Sequence, residues 1–262
     1  MHIRHLLPLT LLAIAGTAAA ADDGSWDYWV RAQASAGMLG LSGDAKFSDK
    51  GLGGSQFSIS DVGLDDSEVT PALELSVGTP IFDFHGFIGW QSWSTDGAAE
   101  ISEEIDFGGT TFTAGTAVKS EASLSDLYAE VNWAPIALDV AGFSIGLAAH
   151  QIAVTTSLES NGEKVELDES GIVPTLALRA YVAPIDAIEV EIMAHGLAVP
   201  AGDISGSLAI LQGQVSYYPL ENIGVIGGWR HTMIDLEFED GGSKVEANLA
   251  LSGPFLGLAA QF

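Results

Sequence analysis

Cysteine is absent from the 262 residues, so neither a disulfide framework nor thiol chemistry is available to this chain. Positive charge is scarce: Lys and Arg total 9 against 35 Asp and Glu, for a formal net charge of −26. A field of that sign repels nucleic acid and anionic membrane surfaces, and leaves divalent cations or basic ligands as compatible partners. After residue 21 no run of about 18 apolar residues occurs, which excludes a transmembrane helix. It does not exclude strands, because a barrel strand crosses a membrane with about ten alternating residues. The glycine-rich stretch Gly51-Leu-Gly-Gly54 is followed by no Lys and no helical pattern, so it is not a phosphate-binding loop.

What is present begins with a leader. Met1-His-Ile-Arg-His5 is a short basic region, an apolar run follows to Ala15, and Gly16-Thr-Ala-Ala-Ala-Ala21 supplies small residues for cleavage. The expected organisation is a secretory signal peptide over 1–21 and one exported β domain over 22–262. Losing Arg4 with the leader leaves 8 basic residues against 35 acidic ones, a charge near −27. The mean hydropathy is nevertheless positive, +0.29. The combination suits a chain whose apolar residues face lipid while its acids sit in loops.

The remainder alternates with a period of two, the signature of strands with one apolar face. Ten segments are legible. The first sets Tyr28, Val30, Ala32 and Ala34 against Arg31 and Gln33, and the second Leu73, Leu75 and Val77 against Glu74 and Ser76. The third sets Phe84 and Ile88 against His85 and Gln91, and the fourth Leu127, Val131 and Trp133 against Asp126, Tyr128 and Glu130. Segments five and six set Ile145 and Leu147 against Ser144 and His150, then Leu176 and Leu178 against Arg179 and Tyr181. Segment seven sets Val190 and Ile192 against Glu189, Glu191 and His195, and segment eight Leu211 and Val215 against Gln212 and Gln214. Segment nine sets Ile223, Val225 and Trp229 against Arg230 and Thr232, and is expected to extend through Ile234, Leu236 and Phe238. Segment ten has Ala247, Leu249 and Leu251 as its apolar row, then Leu256, Leu258 and Phe262. That parity change reads as a bulge or kink at Gly253-Pro254.

The connections alternate in length. Thr79-Pro-Ile81, Ala134-Pro-Ile136, Ala183-Pro-Ile185 and Tyr218-Pro-Leu220 read as tight turns. Polar stretches near 42–66, 95–120 and 155–170 read as long loops. Asymmetry of this kind, with an even strand count, puts both termini on the short-turn side.

The chain ends Pro254-Phe-Leu-Gly-Leu-Ala-Ala-Gln-Phe262, an amphipathic strand closed by an aromatic. With the leader and the paired segments, this resembles the small bacterial outer-membrane β-barrel proteins. The resemblance implies an all-β fold: a closed antiparallel up-and-down barrel of about ten strands, with eight or twelve the neighbouring solutions. It also implies outer-membrane lipid and lipopolysaccharide as surroundings, and a terminal strand ending in Phe262 that is read by the barrel-assembly machinery. The alternative fold is a soluble lipocalin-like barrel or sandwich acting as a periplasmic binder.

Within the barrel reading, the polar faces assemble a lumen network of Arg31, Glu74, His85, Asp126, Glu130, Arg179, Glu189, Glu191, His195 and Arg230. Its expected role is to plug the lumen with ion pairs, the alternative being a narrow passive channel for ions or small polar solutes. Trp26, Tyr28, Phe82, Phe84, Trp133, Tyr181, Tyr217, Tyr218 and Phe262 fall near the short-turn ends and are expected to form an aromatic girdle, with Trp90, Trp93 and Trp229 nearer the other rim. Four histidines scattered over separate segments show no catalytic spacing, so the expectation is a non-enzymatic structural or surface-interaction protein without cofactor. Asp65, Asp66, Glu103 and Glu104 are weak candidates for divalent cations, without calcium-loop spacing.

Overall fold

The computed structural model describes residues 30–48, 55–64, 67–79, 83–107, 110–138, 140–198, 204–240 and 243–262. The expected leader over 1–21, Trp26, Tyr28, Phe82, Asp65 and Asp66 lie outside the described residues. Ten long strands follow one another: β1 Val30–Ser48, β2 Ser67–Gly78, β3 Phe84–Glu100, β4 Ala117–Leu138, β5 Ala141–Ser160, β6 Glu163–Ile185, β7 Ile188–Ala198, β8 Ile204–Leu220, β9 Ile223–Asp240 and β10 Ser243–Gln261. Each pairs antiparallel with its neighbour in sequence, and β10 returns to pair with β1 from Arg31↔Gln261 to Ser48↔Lys244. Closure removes both sheet edges, as a spanning sheet requires where no water can satisfy them.

The stagger follows from the register. One continuous row of partners runs Val30, Val77, Gly86, Val131, Leu147, Leu176, Gly196, Ala209, Met233, Ala250 and returns to β1 at Ser42. One circuit thus climbs twelve residues along β1, from Val30 to Ser42. With strands about 4.8 Å apart and residues about 3.3 Å apart, that tilts them about 40° from the axis.

The outer wall carries an apolar belt. On β6 it runs from Ile172 through Leu176 and Leu178 to Val182, all exposed. Ten steps of about 3.3 Å, tilted about 40°, give a height of about 25 Å, the height of a barrel's lipid-facing band. Trp133, Phe84, Tyr217 and Phe262 are exposed at its short-turn edge. Tyr181 and Tyr218 do not join them: they are only 2 % and 8 % exposed and point into the lumen. Both occupy inward positions of their strands, and Tyr181 donates to the Leu138 carbonyl at 2.8 Å. A tyrosine beside a turn is therefore not a girdle residue unless its parity is outward. Trp93 is also inward, its indole N–H bonded to the Leu39 carbonyl at 3.2 Å.

Above the belt the pattern inverts. On β6 the outward residues become Ser170, Asp168, Glu166 and Lys164, while Val173, Leu167 and Val165 turn inward. The same crossing puts Ile234 of β9 and Leu251 of β10 inside, 3 % and 2 % exposed. Segment nine does extend through Ile234, to Asp240, with Ile234 on the inward face. The parity change on β10 needs no bulge: its register with β9 is unbroken from Asp240↔Ser243 to Ile223↔Ala260. Leu249 and Leu251 face the lumen, Leu256 and Leu258 face outward, and the backbone between them stays regular.

Two expectations about connections also change. Residues 155–170 are not a loop, because β5 and β6 pair through to Ser160↔Glu163. Asn161 (φ 52°) and Gly162 (φ 84°) make the two-residue turn, both in the left-handed region that type I′ turns demand. The prolines of the short turns sit in the last strand residues, not at the tips: Pro135, Pro184 and Pro219 lie within β4, β6 and β8. The ladder slips between Trp133 and Ile136 and between Tyr217 and Leu220, where proline offers no N–H.

Candidate functional site in the barrel lumen

The lumen has two storeys. The lower one, level with the apolar belt, is charged. Arg179 of β6 stands at its centre and is almost wholly buried. Its guanidinium grips Glu130 of β4 bidentately at 2.9 and 2.8 Å, and reaches Glu191 of β7 at 2.9 Å and Glu74 of β2 at 2.8 Å. One face of it lies 3.8 Å from the centroid of the Phe87 ring. A planar five-donor fork suits this position, since it holds three carboxylates from three walls at once. Arg31 of β1 grips Glu189 of β7 bidentately at 2.8 and 2.9 Å, with Glu191 at 3.5 Å. Glu191 thus links both arginines.

A second chain leaves Glu130 upward. His195 Nε2 is 3.1 Å from Glu130, its Nδ1 is 3.1 Å from His150 Nε2, and His150 Nδ1 is 3.0 Å from Asp126. Tyr128 stacks on His150 and donates to Glu74. All four imidazole nitrogens face a partner. Arg230 of β9 donates to Gln212 at 2.8 Å and to Gln91, forming the lid of this storey. His85 is buried at the short-turn end.

Glycine makes the room. An added Cβ at Gly89 or Gly142 would meet the rings of Tyr128 and Tyr181. These glycines sit across the pairings Gly89↔Tyr128 and Gly142↔Tyr181, so each ring lies flat on bare backbone.

The upper storey is apolar. Leu39, Leu41, Trp93, Leu124, Ile152, Leu208 and Ile234 line the walls. Residues 55–64 fold into the mouth: strand Gln56–Ser58 pairs with β1 at Asp44–Lys46, beyond the point where β2 begins, and a one-turn helix Ile59–Val62 follows. Phe57, Ile59, Val62 and Leu64 point down onto the walls. Between cap and walls lies a cavity of about 140 Å³.

No protein-family model matches the sequence, and no curated protein matches it. Among solved structures, the outer membrane protease OmpT from Escherichia coli superposes with a TM-score of 0.52 at 13 % identity, over 89 % of this chain and 96 % of that one. The chain has the fold of bacterial outer-membrane β-barrels. The transport unit of the Escherichia coli autotransporter AIDA-I (TM-score 0.44, 9 % identity, 92 % of this chain and 93 % of that one) matches more loosely. So does neisserial surface protein A (TM-score 0.30, 13 % identity, 89 % and 97 %).

In this outer-membrane barrel fold, nine residues singled out on the polar faces converge on the charged storey: Arg31, Glu74, Asp126, Glu130, Arg179, Glu189, Glu191, His195 and Arg230. His150 and Tyr128 join them; both lay on the polar faces of segments five and four, and strand parity was enough to include them. Glu103 and Glu104 are exposed beyond β3, and no three metal-ligating side chains cluster among the described residues. The upper apolar storey was not foreseen.

Proposed function

We propose that this protein is a non-conducting barrel of the bacterial outer membrane with a structural and surface-interaction role. Its short turns and both termini face the periplasm, and its long acidic hairpins project outward. The observation that carries the reading is Arg179, whose guanidinium binds Glu74, Glu130 and Glu191 from three different strands and closes the lumen at belt level. Two voids lined by Gln212 and Arg230 measure about 20 Å³ each. Each is room for about one water, not a hydrated ion's path.

The histidines support a non-enzymatic reading. His150 and His195 spend their ring nitrogens on each other and on Asp126 and Glu130, which leaves none aimed at a substrate. Phe262 closes the β1–β10 seam, its N–H and carbonyl exchanging bonds with Val30 at 2.9 and 3.1 Å. An exposed terminal aromatic on the closing strand fits recognition by the assembly machinery, after export by the leader. The acidic outward face of the hairpins fits divalent cations bridging to lipopolysaccharide phosphates.

The test is single-channel recording in planar bilayers. The wild type should show no unitary steps, and replacing both Arg31 and Arg179 by Ser should produce them. Steps from the wild type would overturn the reading in favour of a passive channel.

A further inference from the structure

We propose that the apolar chamber in the upper storey is a binding site for a small, uncharged apolar molecule of about the size of benzene. The proposal goes beyond the structural role argued above and does not depend on it. Size is the first argument. The chamber holds about 140 Å³, and an apolar cavity of about 150 Å³ in another protein stays dry and binds benzene. Its lining is the second: Leu41, Phe57, Leu124, Ile152, Ile234 and Leu249 make most of its surface side-chain carbon. The one indole N–H in the wall, that of Trp93, is already bonded to the Leu39 carbonyl, so it asks nothing of a ligand.

Charge selects among apolar molecules. Among the described residues Glu169 is the only charged one in the lining, and the chain around it carries a net charge of −26. An apolar carboxylate is therefore repelled twice, by the whole field and by the side chain at the chamber's edge. A neutral molecule suffers neither.

The chamber also has a floor and a door. Between the storeys Arg230 donates to both Gln91 and Gln212, a polar layer below the chamber. The cap over it, residues 55–64, is fastened at a few points. Its strand Gln56–Ser58 pairs with β1 over three residues, Ser120 donates to the Val62 carbonyl, and Asp106 N–H donates to the Ser55 hydroxyl at 2.7 Å. A segment held by one three-residue ladder and two side-chain bonds opens more readily than a wall paired along its length on both edges. Ligand would enter from the hairpin end under this cap, and the charged storey beneath stops it there.

Benzene titrated into the full-length barrel in lipid nanodiscs tests this by methyl NMR. The Leu124, Ile152 and Ile234 methyls should shift saturably. Those of the outward Leu176 and Leu211 should move only in proportion to the benzene dissolved in lipid. Benzoate at the same concentrations should leave the chamber methyls unmoved. Ala122→Phe, which puts a ring into the chamber from β4, should weaken the saturable shift at least tenfold while the barrel still changes gel mobility on heating. If the chamber methyls follow the lipid-facing ones, there is no site. If benzoate matches benzene, the charge argument is wrong. Both comparisons stand on the unaltered protein, so a misfolded variant does not decide the matter.

Discussion

At the scale of single residues, the lumen's charges were readable because parity alone assigns a strand residue to a face. Arg31, Glu130, Arg179 and Glu191 are polar residues inside rows whose alternate members are Ile, Leu and Val, and they could only point inward. What parity could not supply was partnership, which depends on chords across the barrel such as Arg31 to Glu189, 158 residues apart. The tyrosines show the complementary effect: Tyr181 and Tyr218 lie beside turns, but their parity turns them inward. Arg179 tests the network. Arg179→Met removes the cation that holds Glu74, Glu130 and Glu191 in a buried site, leaving carboxylates without their partner. Breaking a buried pair from one side costs about 3–5 kcal/mol. Urea unfolding in lipid vesicles should show a loss of that order, and a loss under about 1 kcal/mol would mean the carboxylates are not held as described. A gentler test is Gly89→Leu. It drives a side chain into the Tyr128 ring and should cost about 1–3 kcal/mol by overpacking.

At the scale of the element, strand existence was legible and strand length was not. Where the apolar row changes sides and charged residues crowd the outward face, the alternation is harder to see. The β5–β6 hairpin shows this: residues 155–170 looked like a loop because Glu159, Lys164, Glu166 and Asp168 dominate the count. Leu158, Val165 and Leu167 alternate with them, and Asn161-Gly162 is a strong two-residue hairpin signal. Two substitutions on β6 separate the levels. Leu176→Arg places a cation on the belt near mid-height and should cost about 2–4 kcal/mol. Glu166→Arg, five turns of alternation higher on the outer wall, should stay within about 0.5 kcal/mol. Equal costs at the two sites would remove the distinction between a lipid-facing and a water-facing wall. An epitope inserted between Asn161 and Gly162 should leave the barrel assembled and be stained on intact cells, since loop tips tolerate insertion. Staining only after the outer membrane is permeabilised would reverse the orientation.

At the scale of the whole molecule, two solvents act on one set of strands. Where lipid lies outside, the apolar residues face out and ion pairs fill the interior. Where water lies outside, the same strands turn polar residues outward and close over an apolar interior, as a soluble barrel does. The soluble lipocalin-like alternative thus describes the upper storey and fails for the lower one. Both storeys depend on the seam between β1 and β10, whose pairing extends from Arg31↔Gln261 at the short-turn end to Ser48↔Lys244. A chain closed along that length should resist SDS until boiled and migrate differently before and after heating. Truncation after Pro254 removes the last seven pairs of the lower seam, from Gly37↔Phe255 to Arg31↔Gln261. In the belt those pairs have no water to replace them, so the truncated chain should show one mobility, heated or not. A heat shift that survives the truncation would mean that the upper seam alone closes the barrel, and that the apolar storey, not the lipid-facing one, holds the fold together.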